Sequence, residues 1–260
     1  MYSAQKNDYN QPIRSSINQN EHPSATNDDY DPYETQGLGR KLSENSRMGF
    51  IRKVMGILCA QLVFTAAGVV FSVVYSNELE YFFATNSYLL WMALTVNIIC
   101  MYALGCYRSI ARNVPTNYIL LGIFTATMTF IAMAVTCQYE GESILIAAVI
   151  TAMAVIGLMF YAITTKRDFT LCGALMWAFV LISMSCLFLS FIFRHRVFQI
   201  IISGIAIVMV CFYIVLDTQL IIGNKRNSLE VDEYIFAAMM LYVDIVRLFL
   251  EILRILGNHK

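Results

Sequence analysis

Two aspartates stand where a chain this apolar should carry none. Asp217 lies in FYIVLDTQLIIG and Asp244 in AAMMLYVDIVRLFLEILRIL. An ionisable side chain inside a membrane span costs roughly 2.5–3.5 kcal/mol on insertion scales, so it marks an ion or proton path by default. Two carboxylates held close together cannot both ionise cheaply, and they share a proton. Such a pair is a pH-sensitive element near neutrality. A nearby arginine would instead favour both charges, and so would a hard divalent cation. Calcium takes about 6–8 oxygens. Two carboxylates supply at most about four, leaving waters or backbone carbonyls to complete the shell. Asp217 and Asp244 therefore suit a weak, transient calcium site better than a tight store.

Further charges accompany Asp244. Asp244, Arg247, Glu251 and Arg254 are spaced 3, 4 and 3 apart. On a helix they fall within an arc of about 80°. A polar stripe of this kind cannot face lipid; it needs a water-filled cavity or other polar groups. The helix that carries it is expected to be central, wrapped by the others. The stripe has a purely structural alternative, a ladder of ion pairs in which Glu251 lies within i,i+4 and i,i+3 reach of Arg247 and Arg254. Asp168, in KRDFT, has one too, since an acid at a connection caps the helix that follows.

The elements that hold these residues are apolar runs. Crossing a hydrocarbon core takes about 20 residues of helix. Segments 54–75, 87–107, 118–137, 169–193 and 197–222 qualify plainly. Segment 143–165 is apolar up to its Lys166-Arg167 stop, and 234–256 is apolar apart from the stripe. No strand alternation runs over such lengths, which excludes a β-barrel. Asp217 sits roughly 8 Å of helix from the end of its span. The spans carrying Asp217 and Asp244 are consecutive and antiparallel, so the two carboxylates can meet inside the bundle.

Composition agrees. Of 260 residues, 58% are hydrophobic and 14% charged, against about 45–50% and about 25% in soluble domains. Lys+Arg and Asp+Glu are 18 each, a balance that gives nucleic acid no foothold. Residues 1–46 hold 4 Lys/Arg and 7 Asp/Glu and almost no aliphatic residues. They cannot offset the entropy of ordering and are expected to be a disordered tail. They also lack the pattern of a cleaved signal, so the first span is expected to serve as an uncleaved anchor. The seven cysteines all lie in or beside apolar runs without a CxxC and read as small buried hydrophobes.

Orientation follows from the connections. Arg40, Lys41, Arg47, Arg52 and Lys53 precede or open the first span. Arg108 and Arg112, Lys166 and Arg167, and Lys225 and Arg226 mark alternate connections. The connections 76–86 and 138–142 carry no Lys or Arg, and Arg194 and Arg196 are the single violation. The positive-inside rule then places the N-terminus in the cytosol. Seven crossings put the C-terminus on the other side; a re-entrant seventh segment would return it to the cytosol.

Several stretches resemble one family. RMGFIRKVMGILCAQLVFTA (47–66), NVPTNYILLGIFTATMTF (113–130), KRDFTLCGALMW (166–177), YIVLDTQLIIG (213–223) and DEYIFAAMMLYVDIVRLFLEILRILG (232–257) resemble, in order, signatures of the transmembrane Bax inhibitor motif family, most closely its Lifeguard branch. The tail is not covered and lacks the Pro-rich repeats of some members. The resemblance implies an all-α bundle of seven transmembrane helices with the last one central, spanning 47–260. It implies a pH-sensitive calcium leak gated by an aspartate pair, which carries over to Asp217 and Asp244. It also implies residence in the endoplasmic reticulum, Golgi or plasma membrane, and suppression of apoptosis. In a bacterial relative an arginine on the second helix latches onto the pair. Here that helix ends at Arg108, with Arg112 just beyond, and neither aligns with the latch position. Residue 247 is commonly uncharged in this branch; as Arg247 it is expected to pair with the aspartates and replace or supplement the latch.

Rival readings are weaker in the residues. An intramembrane aspartyl protease also needs two aspartates on consecutive spans, but Gly-x-Gly-Asp and Pro-Ala-Leu are absent. No seven-helix receptor motif, phosphate loop, metal pattern or nucleophile elbow is present. A non-conducting membrane adaptor that regulates cell death through partner proteins stays open. The reading is a non-enzymatic membrane bundle with the lipid bilayer as solvent and calcium as permeant ion. It needs no cofactor, and apoptosis-related membrane proteins are candidate partners.

Overall fold

The structure is a computed structural model that describes residues 32–107, 111–165, 167, 181–182, 185, 195–223, 229–230 and 232–258, with side chains from residue 45 onward. The chain divides into two units, Met1–Arg40 and Lys41–Lys260. The described part of the first is helical backbone. Seven helices appear among the described residues: α1 (Pro32–Val74), α2 (Ser76–Thr85), α3 (Ser87–Cys106), α4 (Thr116–Thr136), α5 (Gly141–Thr164), α6 (Arg196–Ile222) and α7 (Tyr234–Leu256). Apart from 181–182 and 185, the expected segment 169–193 lies outside the described residues, as do Arg108 and Asp168. The other six expected segments correspond to α1 and α3–α7.

Two boundaries differ from the sequence reading. Helix α1 begins at Pro32, so the expected division at residue 46 falls inside it. Good helix formers such as Leu42, Lys41 and Glu44 carry the helical backbone upstream of the apolar run. The connection 76–86 contains a further helix, α2. Its sequence SNELEYFFAT holds no Gly or Pro, and Phe83 anchors it by an edge-on contact to Phe130 of α4, centroids 5.1 Å apart.

Five of the helices are long and apolar enough to cross a membrane: the Asn45–Val74 part of α1, and α3, α4, α5 and α6. Large apolar side chains such as Val63, Val70, Ile98, Ile156 and Val208 point outward and are exposed. In water so much apolar surface would drive aggregation; against acyl chains it is at rest. The four ionisable residues of α7 set it apart, and they are tolerated because α7 is central. It packs against α3, α4, α5 and α6. Its first half joins one apolar cluster with Phe50, Leu104, Phe124 and Ile221. Its second half joins another with Val69, Ala147, Val155 and Ile214.

Polar contacts fix which connections share an end. At one end, Arg47 of α1 reaches the carbonyls of Leu220 and Ile222, and Gln219 donates to the Arg167 carbonyl, 3.0 Å. Arg112, between α3 and α4, binds Glu230 and Glu233 before α7. At the opposite end, Glu140 N–H donates to the Asn258 carbonyl (3.2 Å), and Asn258 N–H to Ser143 Oγ (3.2 Å). A Cβ on Gly257 would run into the Tyr139 ring. The end of α7 therefore meets the α4–α5 connection, and α7 traverses the bundle. A last helix that runs the length of the bundle weighs against the re-entrant alternative.

One seam settles the direction of α1 against α4. Gln61 pairs with Thr125, Thr65 with Thr129 and Ser72 with Thr136, at 2.8, 3.0 and 2.7 Å. Each pair is 64 residues apart. A constant offset means parallel helices in fixed register. Gly68 lets the backbones close in, since a Cβ there would strike Thr129.

Candidate functional site

The site is built on α6 and α7. Helix α6 is Ile- and Val-rich and ends at Gly223, whose φ of 74° is the left-handed cap that glycine adopts without strain. Asp217 stands five residues before Ile222, about one and a half turns inside that end. Asp244 stands ten residues into α7. Antiparallel packing brings the carboxyl groups of Asp217 and Asp244 within hydrogen-bonding reach of each other. Both residues are buried, at 8% and 9% exposure, though both carry charge in water. Such a contact is attractive only if one of the oxygens carries a proton. Asp244 Oδ2 has no hydrogen-bond partner, so the pair keeps an unused acceptor facing the interior.

The rest of the stripe lines the same side of α7. Arg247 is half-buried and lies within electrostatic reach of Asp244. No ion pair between them within 4 Å occurs among the described residues. Glu251 is buried and accepts from Arg254 Nη1 at 3.2 Å. The stripe is buried at Asp244 and Glu251 and partly buried at Arg247, and it ends in the exposed Arg254 near the opposite end. Nearby, burial pushes the Tyr139 phenol up from its ordinary value, against the pull of Arg254 and Arg196.

Arg112 is not beside the aspartates. It binds Glu230 directly and Glu233 at 3.4 Å. The hydrogen bond from Arg112 to Glu230 pushes its guanidinium up from the ordinary value, with burial opposing. Arg108, the other candidate latch, lies outside the described residues.

Two features escaped the sequence reading. One is the hydroxyl seam, completed by the Tyr242 hydroxyl, 2.8 Å from Thr65 Oγ1. Tyr242 lies about 160° around α7 from Asp244, so the seam and the carboxyl pair occupy opposite faces of that helix. The 4, 3, 4 spacing of Gln61, Thr65, Gly68 and Ser72 was the available signal. The other is Arg47, which reads in sequence as one more flanking positive charge.

The family model described as "Inhibitor of apoptosis-promoting Bax1" matches residues 47–260. The chain belongs to the Bax inhibitor family. Within it, the Lifeguard proteins are its relatives. The chain is 38% identical over 221 residues to Protein LIFEGUARD 4 of Arabidopsis thaliana, covering 82% of this chain and 86% of that one. To Protein LIFEGUARD 2 of the same plant it is 36% identical over 222 residues, covering 82% and 89%. To Protein lifeguard 3 of Homo sapiens it is 28% identical over 228 residues, covering 86% and 73%. The aspartates of this Lifeguard-branch bundle fall within the matched region, and the first 46 residues fall outside it.

Proposed function

We propose that this multi-pass membrane protein is a pH-sensitive calcium leak whose gate is the Asp217–Asp244 carboxyl pair, and that the leak lowers stored calcium and so restrains cell death. The observation that carries this reading is the meeting of two carboxyl groups inside an apolar bundle, with one oxygen left unpartnered. Neutral polar residues would pack there at lower cost. Retaining two acids makes sense if their charge is used.

The chemistry follows from proton count. With one shared proton the carboxyls attract, and α6 and α7 stay together. Without it they repel, and two carboxylates offer oxygen ligands to a divalent cation, with waters or carbonyls completing the shell. Among the described residues the charged group facing Asp217 is Asp244, and those facing Asp244 are Asp217 and Arg247. Arg247 favours the doubly ionised state from within the stripe, whereas Arg112 is engaged elsewhere. The membrane is the endoplasmic reticulum, Golgi or plasma membrane, with the basic end cytosolic by the positive-inside rule.

The test is calcium efflux from proteoliposomes between about pH 6 and about pH 8, a range that brackets a shared carboxyl proton. Wild type should leak more as pH rises, and Asp217→Asn/Asp244→Asn should lose that dependence. Absence of efflux from folded wild type would turn the assignment to a non-conducting adaptor acting through partner proteins.

A further inference from the structure

The end of α6 is held by a side chain from another helix. Arg47 of α1 donates from Nη2 to the Leu220 carbonyl at 2.8 Å, from Nε to the Ile222 carbonyl at 3.2 Å, and from Nη1 to the Leu229 carbonyl at 2.5 Å. The first two carbonyls end α6. The third belongs to the residues that lead into α7. Leu229 also donates its own N–H to the Leu220 carbonyl, 3.2 Å. The last turn of a helix presents orphan carbonyls and the negative end of its dipole, both suited to a cation. A guanidinium can bind several carbonyls at once because its five donors diverge in one plane.

The site is shaped for that group. A Cβ on Gly223 would overlap the Arg47 guanidinium, so glycine is required there for space as well as for its φ of 74°. The guanidinium carbon also lies 5.0 Å from the centroid of Phe50, whose buried ring joins the cluster around α7. Arg47 thereby ties α6, the entry to α7 and α1 at one point, about one and a half turns from Asp217.

We propose that Arg47 is a positioning residue for the Asp217–Asp244 pair: by bridging the end of α6 to the entry of α7, it holds the two acid-bearing helices at the spacing where their carboxyls meet. Only the flux arm of its test rests on the calcium-leak reading. Ile221 is fully buried in the α6–α7 interface, packed in one cluster with Ile235 and Ala238, and reports whether the helices part. In Ile221→Cys protein in liposomes, labelling of residue 221 by a charged, membrane-impermeant thiol reagent is quantified by mass spectrometry. Arg47→Ala should raise its rate by at least about tenfold, the factor expected from losing one charge-assisted hydrogen bond. Arg47→Lys, which keeps the charge but cannot span three carbonyls, should do the same. Gly223→Ala, which leaves the arginine in place but fills its seat, should also raise the rate. In the flux arm, Arg47→Ala should displace the pH–efflux curve along the pH axis, which a change confined to stability leaves in place.

Unchanged labelling in folded Arg47→Ala and Gly223→Ala proteins would overturn the proposal whether or not the liposomes leak. Wild-type labelling in Arg47→Lys would overturn it in favour of simple charge compensation of the helix end. Faster labelling in all three, with no calcium efflux from wild type, would support the positioning role and reject only the leak.

Discussion

Asp244 Oδ2 lies buried without a partner, and Asp217 faces it from the next helix, so the first predictions concern single groups. Asp217→Asn/Asp244→Asn should give an efflux that differs by less than about twofold between about pH 6 and about pH 8, because amides do not titrate; proteoliposome flux measures it. Arg247→Asn removes the cation that faces Asp244 among the described residues. Loss of that cation makes the doubly ionised state costlier, so the pH–efflux curve should move to higher pH. A mutant curve lying on the wild-type curve would remove Arg247 from the gate. Gly223→Ala should destabilise the folded protein by about 1–2 kcal/mol from the left-handed backbone alone, and by more because the Arg47 guanidinium is in the way. Thermal unfolding in detergent reads that loss. At this scale the sequence was informative about charge and silent about partners. Two acids in apolar runs announce themselves, whereas the binding of Arg112 to Glu230 and Glu233 joins connections about 120 residues apart. Spacing carries no trace of it.

Among the elements, α1 and α4 show what holds such a bundle together. Lipid is as apolar as leucine, so helices associate through close packing and a few interhelical hydrogen bonds. The seam has both: the hydroxyl pairs at constant offset and the close approach at Gly68. Thr129→Val should cost only about 0.6 kcal/mol, the average for such bonds, while Gly68→Val should cost about 1–3 kcal/mol through overpacking. Unfolding in mixed micelles ranks the two, and a larger loss for Thr129→Val would mean that hydrogen bonding dominates the seam. The extent of the long helices was readable, because apolar runs of this length have one solution in a bilayer. Helix α2 was not, because ten residues of mixed polarity read equally well as a connection. In the fold it is packed against Phe130, a residue from another part of the chain.

For the molecule as a whole, the structure places Arg47 of α1 beside the end of α6 and the end of α7 beside the α4–α5 connection. The residues entering the bundle and those leaving it lie at opposite ends. Epitope tags on the N- and C-termini in sealed vesicles should accordingly be cleaved from opposite sides; cleavage of both from one side would restore a re-entrant last helix. By itself the sequence determined the solvent, the run of long helices and the identity of the two acids. Each of these is local, following from how many consecutive residues are apolar and from the cost of placing a charge among them. Only the tertiary structure decided that α7 runs from one end of the bundle to the other, that α1 and α4 lie parallel in register, that Arg112 serves the connections, and that Arg47 closes the end of α6. Those outcomes depend on which carbonyls and hydroxyls the fold leaves within reach, and a hydrogen bond selects its partner by distance and direction in space rather than by position along the chain.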